Sequence, residues 1–321
     1  MRTTEVKARD SGLRLDRWLK CRFKGLPQSR IQKLCREGRI RIDGNPAEAS
    51  TRLRDGQVIQ LPEIRQDHSD RQRRDVAADF PEPEWLRRSI LYSDEHVIGF
   101  NKPQGVAVQG GRGRVRHLDA VAEHFLSTEN ERPRLVHRLD MNTSGVVVMA
   151  RTRKAAAGLA HAFRSGAVRK LYWAILLGCP EPRCGRVELA LQPAKGRQGS
   201  MICLPGAEAK SAVSEFQVLE NLGDRASLVA LSPLTGRKHQ LRAHMAAIGH
   251  PVLGDRRYGD RAREGGILSG PLQLHAHMLA FRHPVSETEL HLTAPLPSHM
   301  REKIQALGLG GATPEWVRIV S

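Results

Sequence analysis

Val136-His137-Arg138-Leu139-Asp140-Met141-Asn142-Thr143-Ser144-Gly145 is followed by Val146-Val147-Val148-Met149-Ala150. Leu135–Leu139 and Gly145–Ala150 read as strands, with Asp140–Ser144 as the polar loop between them. This places a carboxylate at the end of an apolar strand, close to an arginine, a position suited to a cleft. Around it, the pattern is mixed α/β. Leu91–Asn101, Leu171–Leu177, Val187–Leu191 and Leu290–Thr293 read as strands. Val213–Glu220 and Ala226–Ser232 read as a strand pair. Lys154–Phe163 is alanine-rich and helical, Leu118–Phe125 is a short helix, and His239–Ile248 carries Leu241, Met245 and Ile248 on one helical side. No regular crossover helix separates the strands, which favours a mixed or antiparallel sheet over a doubly wound one.

A smaller module precedes this region. Leu15, Trp18 and Leu19 fall on one helix face. Ser29 and Gln32 have the spacing of a capping box for a second helix, with Ile31, Leu34 and Cys35 as its apolar side and Gly38 as its stop. Arg39–Ile42 alternates as a strand, Asp43-Gly44 and Asp55-Gly56 are turn signals, and Val58–Leu61 closes the module. From Glu63 to Pro83 six acidic and four basic residues with few apolar ones read as a flexible linker.

The charge is uneven. The 321 residues carry 51 Lys and Arg against 34 Asp and Glu, a net +17. Met1–Pro62 alone holds 15 basic and 7 acidic residues, nearly half of that excess. A surplus of this size points to a polyanionic partner, and Arg30, Lys33 and Arg36 at helical spacing, with Arg39 and Arg41 beyond, can follow a phosphate backbone. No stretch approaches 18 apolar residues and the N-terminus lacks a signal-like apolar core, so neither a spanning helix nor secretion is expected. Five cysteines without a CxxC pair imply reduced thiols in a cytoplasmic protein. There is no Walker loop, GxGxxG or HExxH, and His239 and His244 diverge by about 140° on a helix, so no metal is expected. Gly110-Gly111-Arg112-Gly113 reads as a mobile loop.

Two further polar stretches stand out: Arg169-Lys170-Leu171-Tyr172-Trp173 and Thr235-Gly236-Arg237-Lys238-His239-Gln240-Leu241-Arg242-Ala243-His244. Read singly, each has an ordinary explanation: Asp140 as a turn cap, Tyr172 as core, Arg242 as a surface helix residue. Taken together they resemble the RluA-type family of RNA pseudouridine synthases. His137–Gly145 matches its HRLDxxTSG signature, Thr235–His244 its TGRxHQLRxH, Lys170-Leu171-Tyr172 its KxY, and Asn101-Lys102-Pro103 with Gly105 its NKPxG. His250-Pro251, Gly254-Asp255 and Tyr258-Gly259 follow in family order. The small module resembles the S4 RNA-binding fold through Arg14-Leu15-Asp16, Ser29-Arg30-Ile31, Gly38 and Asp43-Gly44.

The resemblance implies an α+β protein. A small α/β S4-like RNA-binding domain is expected at 13–62, a linker at 63–84, a catalytic domain with a mixed, mainly antiparallel sheet at 85–300, and a tail at 301–321. It implies isomerisation of uridine to pseudouridine without cofactor or metal, with Asp140, Arg242 and Tyr172 as the catalytic set. Arg138 is expected to assist base flipping, and Arg237 is the second choice after Arg242 for the basic partner of Asp140, or else a phosphate contact. Candidate RNA contacts in the S4-like module are Arg14, Arg17, Lys20, Lys24, Arg30, Lys33, Arg36, Arg39 and Arg41. Likeness is greatest to family members acting on large-subunit (23S) ribosomal RNA, so that RNA or a precursor particle is the expected partner of a monomeric protein. The alternatives are a synthase for tRNA or another rRNA site, and a non-catalytic RNA-binding assembly factor. A membrane-binding role fits poorly, because the basic helices have thin apolar faces.

Overall fold

A computed structural model describes residues 2–23, 26, 28–62, 84–110, 117–125, 132–194, 200–203, 209–259 and 265–310. The readings placed on Lys24, most of the linker, the loop beyond Gly110 and the last residues of the tail lie outside them. The chain divides into two compact units, Met1–Pro81 and Glu82–Ser321.

The first unit contains β1 (Arg2–Glu5), α1 (Leu15–Arg22), α2 (Gln28–Arg36), β2 (Arg41–Ile42), β3 (Asn45–Pro46) and β4 (Val58–Leu61), with sheet order β1-β4-β2-β3. Leu15, Trp18 and Leu19 of α1 and Ile31 and Leu34 of α2 pack with Ile40, Ile42, Leu53, Ile59 and Leu61 into one core. Burying each such aliphatic side chain contributes about 1.5–3 kcal/mol. Helix α2 begins at Gln28, so Ser29 lies inside it rather than at its cap. Its end is the glycine stop the sequence implies: Gly38 has φ +63°, and Arg39 N–H donates to Leu34 O. That bond draws Arg39 into the helix terminus, so β2 is only two residues long. Asp43 and Gly44 then turn the chain with positive φ at both positions, the two-residue hairpin geometry.

The second unit is built on a ten-stranded sheet. Its elements in chain order are α3 (Glu84–Arg88), β5 (Ile90–Ser93), β6 (Val97–Lys102), α4 (Leu118–Val121), β7 (Arg134–Leu135), β8 (Ser144–Ala150), α5 (Arg153–Ser165) and β9 (Arg169–Leu177). After them come β10 (Cys184–Glu188), β11 (Leu191–Pro193), β12 (Met201–Cys203), β13 (Val213–Leu222), β14 (Ala226–Pro233), α6 (Gln240–Ala247), β15 (Leu274–Arg282), β16 (Glu289–Thr293) and α7 (Ser298–Ala306). The main path runs β10-β13-β14-β9-β15-β8-β6-β5, with β16 paired to β15 and β7 to β8. Among the strands of the described residues only β8 and β15 pair in parallel. The sheet is therefore mixed and mainly antiparallel, as the irregular spacing implied. Every residue of β8 and β14 is buried, so the middle of the sheet is covered on both faces. No described helix is long and apolar enough to cross a membrane.

Several elements differ from their sequence reading for identifiable reasons. Leu91–Asn101 is two strands, because the Asp94 carboxylate accepts the His96 and Val97 amides at 2.7 and 2.6 Å and turns the chain. The strand expected over Leu135–Leu139 ends at Leu135. Past it, His137 Nε2 accepts the Val148 amide at 2.8 Å in place of a backbone carbonyl. Val187–Leu191 splits, its first part joining the main sheet and Leu191 entering a separate hairpin with β12. Helix α7 extends from Ser298 past residue 301, and its Met300 and Ile304 pack with Leu307 and Leu309 against Ile175, Leu177 and Leu228.

Candidate active site

Asp140 sits between two strands that the sheet holds rigidly. On its C-terminal side the chain enters β8 through Gly145. That glycine has φ +111°, and a Cβ there would lie 2.1 Å from Ala276 O, so only glycine allows β8 and β15 to approach. The turn after β6 clamps the Asp140 loop from the other side. Gly105 N–H donates to Met141 O at 2.9 Å, and Gln104 Nε2 donates to Asn142 O at 2.8 Å and Leu272 O at 2.9 Å. Lys102 is fully buried. Its Nζ donates to Pro103 O, Val106 O and Met141 O at 3.0, 2.9 and 3.1 Å. Burial pulls its pKa down to about 7 while the charge of Asp140 acts the other way. Three carbonyl acceptors match the three N–H groups that only the ammonium form possesses. The NKPxG segment therefore shapes the loop that presents Asp140.

Arg242 arrives from helix α6. Its Nη1 lies 3.2 Å from Asp140 Oδ2, while Nε and Nη2 make a two-pronged contact with Asp255 at 2.7 Å each. The Asp255 side chain is 0% exposed. Its carboxylate also accepts the Arg257 and Tyr258 amides. Burial works against the charge on Arg242, but the hydrogen bonds and charge of Asp255, with those of Asp140, outweigh it and raise its pKa. Burial likewise acts to raise Asp255, and Arg242 outweighs it, holding that carboxyl below the usual range. Asp255 thus fixes the guanidinium and Arg242 holds Asp140. The turn that carries Asp255 depends on Gly254, where a Cβ would meet Pro271 O at 2.2 Å.

Helix α6 starts one residue later than its pattern implied. His239 lies outside it with φ +54°, a left-handed conformation that strains a non-glycine residue by about 1 kcal/mol. The helix is locked in place by Gln240. Its Nε2 donates to Val213 O and Ser214 Oγ, and its Oε1 accepts from Thr235 Oγ1 and the Arg237 amide. The TGRxHQLR stretch is therefore a hinge-free mount for Arg242.

A cavity of about 350 Å³ opens over Asp140. The structure brings all five expected pocket residues to it: Asp140, Arg242, Tyr172, Arg138 and Arg237 line it. Arg138 is exposed, while Arg237 is tied by Nε to Ser211 O at 2.9 Å. Burial, and then the charge of Asp140, push the Tyr172 phenol well above its ordinary range, so it stays protonated. The pocket also holds residues absent from the expected set: Lys170, whose pKa burial lowers to about 8, His239, and the exposed Arg164 and Lys238. His137, in the signature itself, is structural. It stacks on Phe163, and burial, then the charge of Lys170, lower its pKa to about 3. Asp255 was visible only as a family position, because nothing in a separation of 13 residues signals its ion pair with Arg242. Among the described residues no group of three or more His, Cys, Asp and Glu side chains is arranged to hold a metal ion.

The S4-like unit carries the other candidates. Arg14, Arg17, Lys20, Lys33, Arg36, Arg39 and Arg41 are exposed, and Arg30 is half-buried. Several already serve the fold: Arg14 pairs with Asp16 at 2.9 Å, Lys33 with Glu37 at 3.7 Å, and Arg41 donates to Gly38 O and Gly44 O.

Comparison with known proteins agrees with this geometry. Residues 96–247 match the family model described as RNA pseudouridylate synthase, and residues 13–59 match the S4 domain. The chain is 32% identical to ribosomal large subunit pseudouridine synthase C of Vibrio cholerae, over 92% of this chain and 93% of that protein. The enzyme of the same name from Escherichia coli is also 32% identical, over 94% and 95%. Among solved structures, human RNA pseudouridylate synthase domain containing 4 superposes with a TM-score of 0.59 at 31% identity, covering 75% of this chain and 98% of that one. An S4 domain, a synthase domain and near full-length likeness to named synthases leave one assignment: the chain belongs to the RluA-type family of RNA pseudouridine synthases.

Proposed function

We propose that this enzyme isomerises uridine to pseudouridine in large-subunit (23S) ribosomal RNA or its precursor particle, acting as a cytoplasmic monomer with Asp140 as its catalytic carboxylate. The observation that carries the catalytic part is the Asp140–Arg242–Asp255 chain at the floor of the pocket. The RNA target rests on the names of the relatives, and the monomer on the family resemblance.

The reaction breaks the N1–C1′ bond, turns the uracil, joins C5 to C1′ and releases the C5 proton. Its minimum requirement is one ionised carboxylate held in place, since misplacement of a reacting group by about 1 Å costs about a hundredfold in rate. Arg242 faces the carboxylate with its charge and limits its rotation by its hydrogen bond. Arg242 cannot drift, because Asp255 holds its other two nitrogens. Tyr172 offers an aromatic face to the uracil and a protonated hydroxyl as hydrogen-bond donor. The target base reaches this cavity only when flipped from its stack. Arg138, exposed and lining the pocket two residues before Asp140, is the residue we assign to fill the vacated space, an assignment that its exposure supports. Arg237, Arg164 and Lys238 supply positive charge for the neighbouring phosphates, and the S4 cations add affinity through the backbone.

The test is site-resolved pseudouridine mapping on large-subunit rRNA lacking the modification, incubated with wild type and with Asp140→Asn. New pseudouridines with wild type alone are expected. Tight binding without any new pseudouridine, on free rRNA and on precursor particles, would move the assignment to another RNA.

A further inference from the structure

Both protein partners of the Asp140 carboxylate converge on one oxygen. Arg242 Nη1 lies 3.2 Å from Oδ2, and His239 Nε2 lies 3.7 Å from the same atom. Among the described residues Oδ1 has no hydrogen-bond partner. The second approach is set up by a relay. The Tyr258 hydroxyl accepts the Met201 amide at 2.8 Å and lies 2.9 Å from His239 Nδ1. With the Met201 amide donating to its oxygen, the Tyr258 hydroxyl can direct its own proton to Nδ1. Nδ1 is then the accepting nitrogen, and a neutral imidazole carries its proton on Nε2, the nitrogen facing Asp140.

We infer that His239 is a positioning residue for the reaction: Tyr258 locks it as the Nε2–H tautomer, and that N–H together with Arg242 retains Oδ2, presenting Oδ1 to the ribose. The inference rests on Asp140 being the catalytic carboxylate. The separation of 3.7 Å is an electrostatic contact before RNA binds. Hydrogen bonds of this kind often shorten in the substrate complex. The left-handed backbone at His239 is what turns its ring out of the helix direction and into the pocket.

The charges around the pair agree with a neutral ring. His239 faces Asp140, Arg242, Lys238 and Arg257, as well as Tyr258. Burial lowers its pKa to about 4, with Arg242, Lys238 and Arg257 adding to the effect and Asp140 opposing it. Asp140 itself faces Lys102 at the end of β6, Tyr172 of β9, and His239 and Arg242 at the start of α6. Removing a neutral N–H donor from the carboxylate makes its charged form less favourable, so the acidic limb of the rate profile should move to higher pH.

The experiment measures single-turnover rate against pH, and RNA affinity, for the full-length protein and four variants. His239→Ala is expected to lose about a hundredfold in rate and to shift the acidic limb upward by about half a pH unit, with RNA affinity unchanged. His239→Gln, whose side-chain amide can reach the position of Nε2, should recover at least about tenfold of that loss. Tyr258→Phe keeps the ring 5.2 Å beneath the Arg242 guanidinium but frees the tautomer, and should shift the limb in the same direction by less. Asp140→Asn in the same assay tests the underlying reading, which fails if that variant turns over normally. If Asp140→Asn is inactive while His239→Ala keeps the wild-type rate and acidic limb, the His239 role alone is overturned. A loss in His239→Ala that appears in RNA affinity, with no shift of the limb and no recovery by Gln, overturns it as well.

Discussion

Arg14 and Arg242 each form a short ion pair with an aspartate, and the two pairs do different work. Arg14 reaches Asp16 at 2.9 Å with half of its side chain in solvent. Arg242 reaches Asp255 at 2.7 Å with 10% of its side chain exposed and none of its partner's. Water and salt reach the arginine of the first pair, while its partner Asp16 is 13% exposed, so the outward side of the Arg14 guanidinium is open to a phosphate. The second is cut off from water, and it retains its geometry because either charge alone would be stranded. The S4 unit therefore offers exchangeable charge for a polyanion, while the catalytic unit uses buried charge as a rigid frame. Histidine is divided the same way. Residues 1–62 contain none, whereas the catalytic unit buries His275 and partly buries His137 and His239.

The largest expected effect tests the frame at its centre. Asp140→Asn should lower the single-turnover rate by more than about a thousandfold and leave RNA binding intact. A normal rate would remove the distinction between the two kinds of charge. Next is Asp255→Ala, which strands the Arg242 guanidinium. Stability of the catalytic unit in urea should fall by about 3 kcal/mol, with activity lost as well. An unchanged midpoint would mean that Arg242 does not need its second partner.

The histidine contrast predicts an acid response. In an unfolded chain these residues titrate near about 6.5. Burial, the leading cause in each, holds His137 at about 3 and His239 and His275 at about 4 in the folded protein. Below about pH 6.5 the unfolded chain therefore binds protons that the folded chain refuses. Their contribution is fully present above about 6.5 and is lost as pH falls from there toward about 4. Urea unfolding read by segment-resolved mass spectrometry at about pH 7 and about pH 5 should show the midpoint of residues 84–310 falling more than that of residues 2–62. Equal shifts would place the acid response elsewhere.

Smaller effects belong to the exposed charges. Replacing Arg30, Lys33 and Arg36 together by Ala should reduce the slope of log affinity against log salt by about 3, about one unit for each phosphate that is no longer neutralised. The rate at saturating RNA should hold. A slope that does not change would place the RNA on other cations. Lys33→Ala alone removes an exposed i,i+4 pair with Glu37 and should change stability by about 0.3–0.5 kcal/mol.

Local pattern was enough to determine much of this protein. The helix faces of the small module, the glycine stop at Gly38, the Asp43-Gly44 turn and the apolar run of β8 all depend on residues within a few positions of one another. The stretches that hold Asp140, Tyr172 and Arg242 stood out by their polarity, but their roles came only from the family resemblance. What the sequence alone could not determine involves partners distant along the chain. His137 ends a strand because its ring takes an amide from β8, and Leu191 leaves the main sheet for a hairpin with β12. Asp255 holds Arg242 from 13 residues away, and the residue that Arg242 in turn holds, Asp140, lies 102 residues before it. His239 Nδ1 meets the hydroxyl of Tyr258, 19 residues away, and that hydroxyl also takes the amide of Met201, 57 residues from Tyr258. Periodicity and turn chemistry act over single turns of chain, whereas buried charges and ring tautomers answer to whichever groups the fold brings within about 4 Å. The residue types that line the pocket were written in the sequence; their partners and their orientation were decided by tertiary structure.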